Sequence, residues 1–153
     1  MEYFMQEAFE EAEHGIKSGD GGPFGAVIVK EGKIIARGHN EVVKTNDPTA
    51  HAEMVAIRKA ASTLQNFKLE GCSLYVTGEP CPMCFSAIHW AHIDKVYYCN
   101  TKEDAARIGF DDSVITEIIL GNQKDPIPFV HTPHQQCKTL FTQWYEDPEK
   151  TPY

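Results

Sequence analysis

In the stretch TAHAEMVAIRKA, residues 49 to 60, a histidine and a glutamate stand two positions apart in what otherwise reads as an amphipathic helix beginning after Pro48. Further along, PCPMC at 80 to 84 puts Cys81 and Cys84 where a strand pattern gives way to a helix pattern. Thiols at the start of a helix feel the positive end of its dipole, which favours the thiolate, the form that binds metal. One CxxC is half of a four-cysteine structural zinc site. If His51 supplies a third ligand, a tetrahedral ion keeps its fourth position for water, the mark of a catalytic centre. Glu53 points to a different azimuth of the same first turn and so stands beside the metal without binding it. Zinc lowers the pKa of bound water from 15.7 to about 7. A neighbouring carboxylate can take that proton and pass it to the group under attack.

Each half of the pattern has a plainer reading. His51 alone suits a cap or core histidine, and Cys81 with Cys84 alone suits a redox pair. A redox dithiol has no use for Glu53, however. A structural zinc site would need a fourth ligand from Cys72, Cys99, Cys137 or the six other histidines. Cys72 and Cys99 fall in strand patterns, where small buried apolar residues are common. Cys137, His131 and His134 lie in an irregular region and receive no assignment.

The elements around these residues follow from periodicity. Phe4, Ala8, Phe9, Ala12 and Ile16 share one helical face, ended by Ser18-Gly19-Asp20-Gly21-Gly22. Residues 24 to 30 and 33 to 38 are β-rich runs separated by Glu31-Gly32, a hairpin signal. After a polar loop from 40 to 48 comes the His51 helix, with Met54, Val55, Ile57 and Leu64 turned to the sheet. A strand over 72 to 77, a helix started by Pro82, and a strand near 95 to 99 make a parallel crossover. Residues 103 to 107, 113 to 120 and 138 to 146 read as helices, 126 to 132 as extended, and 147 to 153 as an irregular tail. The order predicts an α/β fold, a three-layer α/β/α sandwich on a mixed central sheet, in one domain over 1 to 153.

Composition narrows the partners. Fourteen Lys and Arg against 22 Asp and Glu give a formal charge of −8, which disfavours docking on a polynucleotide backbone. The N-terminal stretch lacks the basic and apolar regions of a secretory signal, and no apolar run approaches the roughly 18 residues of a membrane span. Five cysteines, an odd count, do not make a disulfide framework and fit a reducing cytoplasm.

The spacing of HAE and PCPMC is a known signature, that of zinc-dependent nucleobase deaminases. On these residues, with GGPFGAVIVK at 21 to 30, NDPTAHAE at 46 to 53, IRKA at 57 to 60 and GFDDS at 109 to 113, the chain resembles the cytidine deaminase-like superfamily. Within it the chain is similar to the bacterial guanine deaminases. HAE and PCPMC are common to the superfamily. GFDDS points to guanine, because transfer-RNA adenosine deaminases look similar around both zinc motifs but lack that element.

The resemblance implies one zinc ion per chain on His51, Cys81 and Cys84, with Glu53 as the principal proton shuttle. It implies attack of water at carbon 2 of a purine, protonation of a ring nitrogen by Glu53, and loss of ammonia to give xanthine. Asp112 matches a second carboxylate that assists the departing amine, and Asp111 reads as a helix cap. Asn40 matches a position whose amide reads the base edge, Phe24 and Trp90 match aromatic positions lining the pocket, and Ala52 is grouped with the substrate-binding residues. The resemblance also implies a homodimer exchanging C-terminal segments over about residues 131 to 153, with Tyr153 over the partner's substrate. Three other readings stay open: a guanosine deaminase, a transfer-RNA adenosine deaminase, and a zinc-stabilised module without catalysis.

Overall fold

The computed structural model describes residues Glu2 to Tyr153. A first helix, α1 (Glu2–Lys17), ends at Gly19, whose φ of 70° suits glycine. The hairpin follows as β1 (Gly25–Lys30) and β2 (Lys33–His39). Its two-residue turn has positive φ at both positions, 50° at Glu31 and 73° at Gly32, the sense of turn whose twist matches antiparallel strands. A one-turn helix, α2 (Val42–Thr45), lies inside the stretch read as polar loop. Then come α3 (Ala52–Leu64), β3 (Cys72–Gly78), α4 (Pro82–Trp90) and β4 (Lys95–Asn100). Three further helices complete the chain: α5 (Lys102–Arg107), α6 (Ser113–Ile119) and α7 (Gln135–Glu146).

The four strands run in the order β2-β1-β3-β4, with β1 antiparallel to both neighbours and β3 parallel to β4. The mixed sheet and the parallel pair around α4 are as expected. Residues 126 to 132 are not a strand: they run irregularly beside no other strand, so neither donors nor acceptors of a ladder are matched there.

Alternation along β1 divides the core. Ala26 and Ile28 join Leu74, Val76, Ala52, Ala56 and Ala60 beneath α3 and α4. Val27 and Val29 join Tyr75 and Ala8 beneath α1. Helices thus cover both faces, as a three-layer sandwich requires.

Small residues, more than the large ones expected, make the contacts. On α1 the buried residues are Ala8, Ala12 and Gly15, while Phe9 and Ile16 are exposed. On α3 the buried line is Ala52, Val55, Ala56 and Ala60, with Met54, Ile57 and Leu64 only half-buried. The cause is close approach of backbones. A Cβ on Gly25 would lie 2.1 Å from the Ala8 carbonyl oxygen, and one on Gly38 would lie 2.7 Å from that of Ala52. Helices this near the sheet leave room for alanine and little else.

Candidate active site

The end of β2, the end of β3, the start of β1 and the segment leaving β4 meet at one edge of the sheet, and the chemistry-bearing residues gather there. His51 is the N-cap residue of α3 and Cys81 that of α4, each in extended conformation, with Pro82 at the first helical position. Neither cap side chain bonds its own helix, so both are free to face one another. Cys84 is buried in the first turn of α4.

His51 Nδ1 lies 3.5 Å from Cys81 Sγ and 3.6 Å from Cys84 Sγ. A nitrogen about 2.0–2.1 Å and a sulfur about 2.3 Å from one zinc ion, opened to the tetrahedral angle, stand about 3.5 Å apart. Spacing and donor set therefore both fit a zinc ion, with three protein ligands and one position left for water.

A hydrogen bond from Cys84, with help from His51, holds Cys81 down to about 4, so it is a thiolate at neutral pH. Cys84 is pushed up, first because it donates to that thiolate and then by burial and the nearby Glu53. A divalent cation removes the conflict, since it stabilises both sulfurs as thiolates. His51 is raised by its hydrogen bond to Cys81.

Glu53 is 94 % shielded from solvent, at 6 % relative exposure, yet lines the cavity in front of the cluster. Burial is the main cause that raises its carboxyl, and the Cys81 charge adds to it. A carboxyl whose charged form is disfavoured by burial takes up a proton more readily than a free one.

The cavity holds about 470 Å³ and is lined on one side by Phe24, Asn40, His51, Glu53 and Cys81, and on the other by Lys102, Phe110 and Asp112. Its volume lies within the range of small-molecule sites. Phe24 and Phe110 meet edge to face, ring centres 4.9 Å apart at 89°. Asn40 is buried, and its Oδ1 accepts a hydrogen bond from the Val42 N–H at 3.1 Å. The side-chain NH2 is thus what Asn40 can offer the cavity.

Asp111 Oδ1 accepts from the Ser113 N–H at 2.9 Å, the capping role expected of it. Asp112 occupies the N-cap position of α6 yet makes no capping bond with its side chain. Its carboxyl lines the cavity and is raised by burial, against the pull of Lys102.

Three expected positions fall elsewhere on this chain. Ala52 is fully buried in the core under the sheet, where Gly38 packs against its backbone. Trp90 ends α4, about 12 Å along the helix from Pro82 by its rise per residue, and is 68 % exposed. Tyr153 packs beside Trp90, ring centres 6.4 Å apart, and beside Phe67 at 6.1 Å. Neither Trp90 nor Tyr153 lines the cavity of its own chain.

Sequence reading passed over Glu79, Lys102 and Phe110. Glu79 lines the cavity, and its Oε2 accepts from the Lys102 N–H at 3.1 Å, joining the end of β3 to the start of α5. Phe110 stands inside GFDDS and Glu79 directly precedes PCPMC, so the signal lay in or beside motifs already singled out. Lys102 carried none, because its place depends on where β4 ends.

The family model for the cytidine and deoxycytidylate deaminase zinc-binding region matches residues 1–100, the segment that holds all three candidate ligands and Glu53. The chain belongs to the cytidine deaminase family. It is a zinc-dependent hydrolytic deaminase by fold and by its cation site, and the expected cofactor and three-layer architecture are borne out.

The chain is 46% identical to the guanine deaminase of Bacillus subtilis over 99% of its own length and 98% of that protein's. The crystal structure of that guanine deaminase superposes with a TM-score of 0.94, at 45% identity over 99% of this chain and 98% of the other. A tRNA-specific adenosine deaminase of Aquifex aeolicus is 37% identical over 95% of this deaminase and 93% of its own length. The structure of a guanine deaminase from Nitrosomonas europaea matches 71% of this chain and 63% of its own, at 33% identity and a TM-score of 0.67.

Proposed function

We propose that this deaminase converts guanine to xanthine and ammonia. The observation that carries the reading is the superposition on the Bacillus subtilis guanine deaminase, which runs through the C-terminal third as well as the zinc motifs. The motifs at 51 to 53 and 80 to 84 are common to many deaminases, so a match that includes GFDDS and α7 is the more selective one.

In this reading His51, Cys81 and Cys84 hold the zinc ion. When bound it supplies a water acidic enough to lose a proton near neutral pH and a positive charge close to the developing anion. Glu53 takes the proton from the attacking water and delivers it to a ring nitrogen next to carbon 2. Attack forms the carbon–oxygen bond; the remaining proton of the new hydroxyl passes to the amino group, the carbon–nitrogen bond breaks, and ammonia leaves with the help of Asp112. Asn40 donates from its NH2 to an acceptor on the base edge. Phe24 and Phe110 line the cavity with apolar rings, which suits a flat purine.

The chain acts as a homodimer with exchanged C-terminal segments. Helix α7 buries none of its residues within the chain, and Phe129, Phe141 and Tyr145 are 84%, 79% and 74% exposed. Twelve residues of helix standing free in water are marginal without a partner surface. Trp90 and Tyr153 sit side by side and exposed, so both are open to contact with a partner. A cytoplasmic setting suits the five free thiols. Among the described residues no helix is long and apolar enough to cross a membrane.

The near full-length match to the Aquifex aeolicus enzyme favours a second reading, a transfer-RNA adenosine deaminase. The formal charge of −8 opposes it, because each phosphate contact needs a compensating cation. The test is ammonia release by the zinc-loaded protein given guanine, guanosine, adenosine, cytidine and transfer RNA separately. Turnover of guanine above the others is expected. Turnover of guanosine or of transfer RNA in its place overturns the assignment of substrate.

A further inference from the structure

Behind Asn40, outside the cavity, a second group of charged side chains is packed into the end of the sheet. His39, the last residue of β2, is 6 % exposed. Its Nε2 lies 2.7 Å from Asp20 Oδ2 and its Nδ1 lies 3.2 Å from Glu11 Oε2. Each ring nitrogen of His39 thus faces a carboxylate oxygen. Glu41 stands 3.7 Å from Nε2, and Lys44 Nζ lies 3.2 Å from Asp20 Oδ2 and 3.8 Å from Glu41 Oε1. Asp20, His39 and Glu41 have the donor types and closeness of a metal site, but the Lys44 ammonium already supplies the cation there. The imidazole and the Lys44 ammonium, set among the carboxyls of Glu11, Asp20 and Glu41, make a polar clamp.

The clamp reaches Asn40 through Asp20 and its neighbour Gly21, and Phe24 adds a further bond. The Asp20 carbonyl accepts from the N–H groups of Val43 and Lys44, each at 3.0 Å, which fixes α2 just after Asn40. The next residue, Gly21, lies so close to Asn40 that a Cβ there would be 2.1 Å from its Oδ1. The Asn40 N–H donates to the Phe24 carbonyl at 3.0 Å. Gly15 supports the ring from below, since a Cβ there would come within 2.7 Å of His39 Cδ2. The hydrogen bond from His39 also holds the Asp20 carboxyl below its ordinary range, so the anionic partner is kept.

The geometry points to His39 as a positioning residue for substrate binding: held between Glu11 and Asp20, it sets the direction in which Asn40 presents its NH2 to the cavity. The inference rests on the reading that Asn40 binds the base. A group that acts by orienting another loses its effect when the other is removed, and an interaction made equally with substrate and transition state appears in KM and not in kcat.

The experiment is a double-mutant cycle on the zinc-loaded full chain, with kcat and KM for guanine and thermal melting measured on every variant. His39→Leu, which removes both ring nitrogens at similar volume, is expected to raise KM about tenfold with kcat within about threefold of the parent. His39→Gln keeps one donor and should recover part of that loss. In an Asn40→Ala background His39→Leu should change KM less than about twofold. Asp20→Asn, expected to show the same split, serves where His39→Leu does not fold. If Asn40→Ala raises KM while the His39 and Asp20 variants leave it unchanged, or act in full on top of Asn40→Ala, the positioning role is overturned. If Asn40→Ala itself leaves KM unchanged, the reading of Asn40 fails first and the inference falls with it.

Discussion

At the scale of residues, the pair His51 and Glu53 separates two jobs by two positions. An N-cap residue points its side chain off the helix end, and the second helical residue points into the cavity wall, so one can bind a cation while the other moves protons. Glu53→Gln keeps shape and burial but cannot carry the proton. The variant is expected to hold zinc and melt near the parent, with kcat lowered about 100- to 10,000-fold. Ammonia release and metal analysis together check this, and near-normal turnover would remove Glu53 from the mechanism. Cys84→Ser replaces a thiolate ligand by a poor one in a buried position. Zinc content by mass spectrometry should fall well below one per chain, and retention of a full complement would show the ligand set to be wrong.

At the scale of elements, the site depends on how close α3 can come to the sheet. Gly38 faces the backbone of Ala52 and Ala56, at 2.7 and 2.8 Å from an added Cβ. Gly38→Ala therefore forces α3, with His51 and Glu53 on its first turn, away from β2. Overpacking of this kind costs about 1–3 kcal/mol, a Tm drop of roughly 2–12 °C for a chain this size. Calorimetry checks the first number, and zinc affinity should weaken in parallel because His51 moves while Cys81 and Cys84 do not. An unchanged Tm would mean the sheet yields instead of the helix. The periodicity of α1 and α3 was legible in the sequence, and Phe4, Ala8, Ala12, Val55, Ile57 and Leu64 do face the core, whereas Phe9 and Ile16 are exposed and Met54 lies outside the core clusters. Reading weight into Phe9, Ile16 and Met54 overlooked that glycine on the strand selects alanine on the helix.

For the whole molecule, the body of the fold is complete by Asn100, and the segment after it does something else. Helices α5 and α6 bring Lys102, Phe110 and Asp112 across the cavity, whereas α7 extends without burying a side chain. Deleting residues 131 to 153 removes α7 and the tail. The truncated chain is expected to be monomeric by light scattering, to bind zinc, and to lose about 10- to 100-fold in kcat/KM for guanine, the scale of misplacing a substrate-closing group. A truncated chain that stays dimeric would place the interface on the body of the fold.

What the sequence determined by itself is the local chemistry. HAE and PCPMC name a cation site because ligand types and helix starts are properties of a few neighbouring residues, and the Glu31-Gly32 turn follows from an equally short-range rule. The tertiary structure decided everything that depends on distance through space. It set His51 within 3.6 Å of both thiols, turned Asp112 to the cavity while Asp111 capped the helix, and put Ala52 in the core and Trp90 with Tyr153 on an open face. It also gathered Glu11, Asp20, His39 and Lys44 behind Asn40. Those residues carry no motif, because what joins them is the approach of α1, a glycine loop and a strand end, and only the packing of small residues brings these three together.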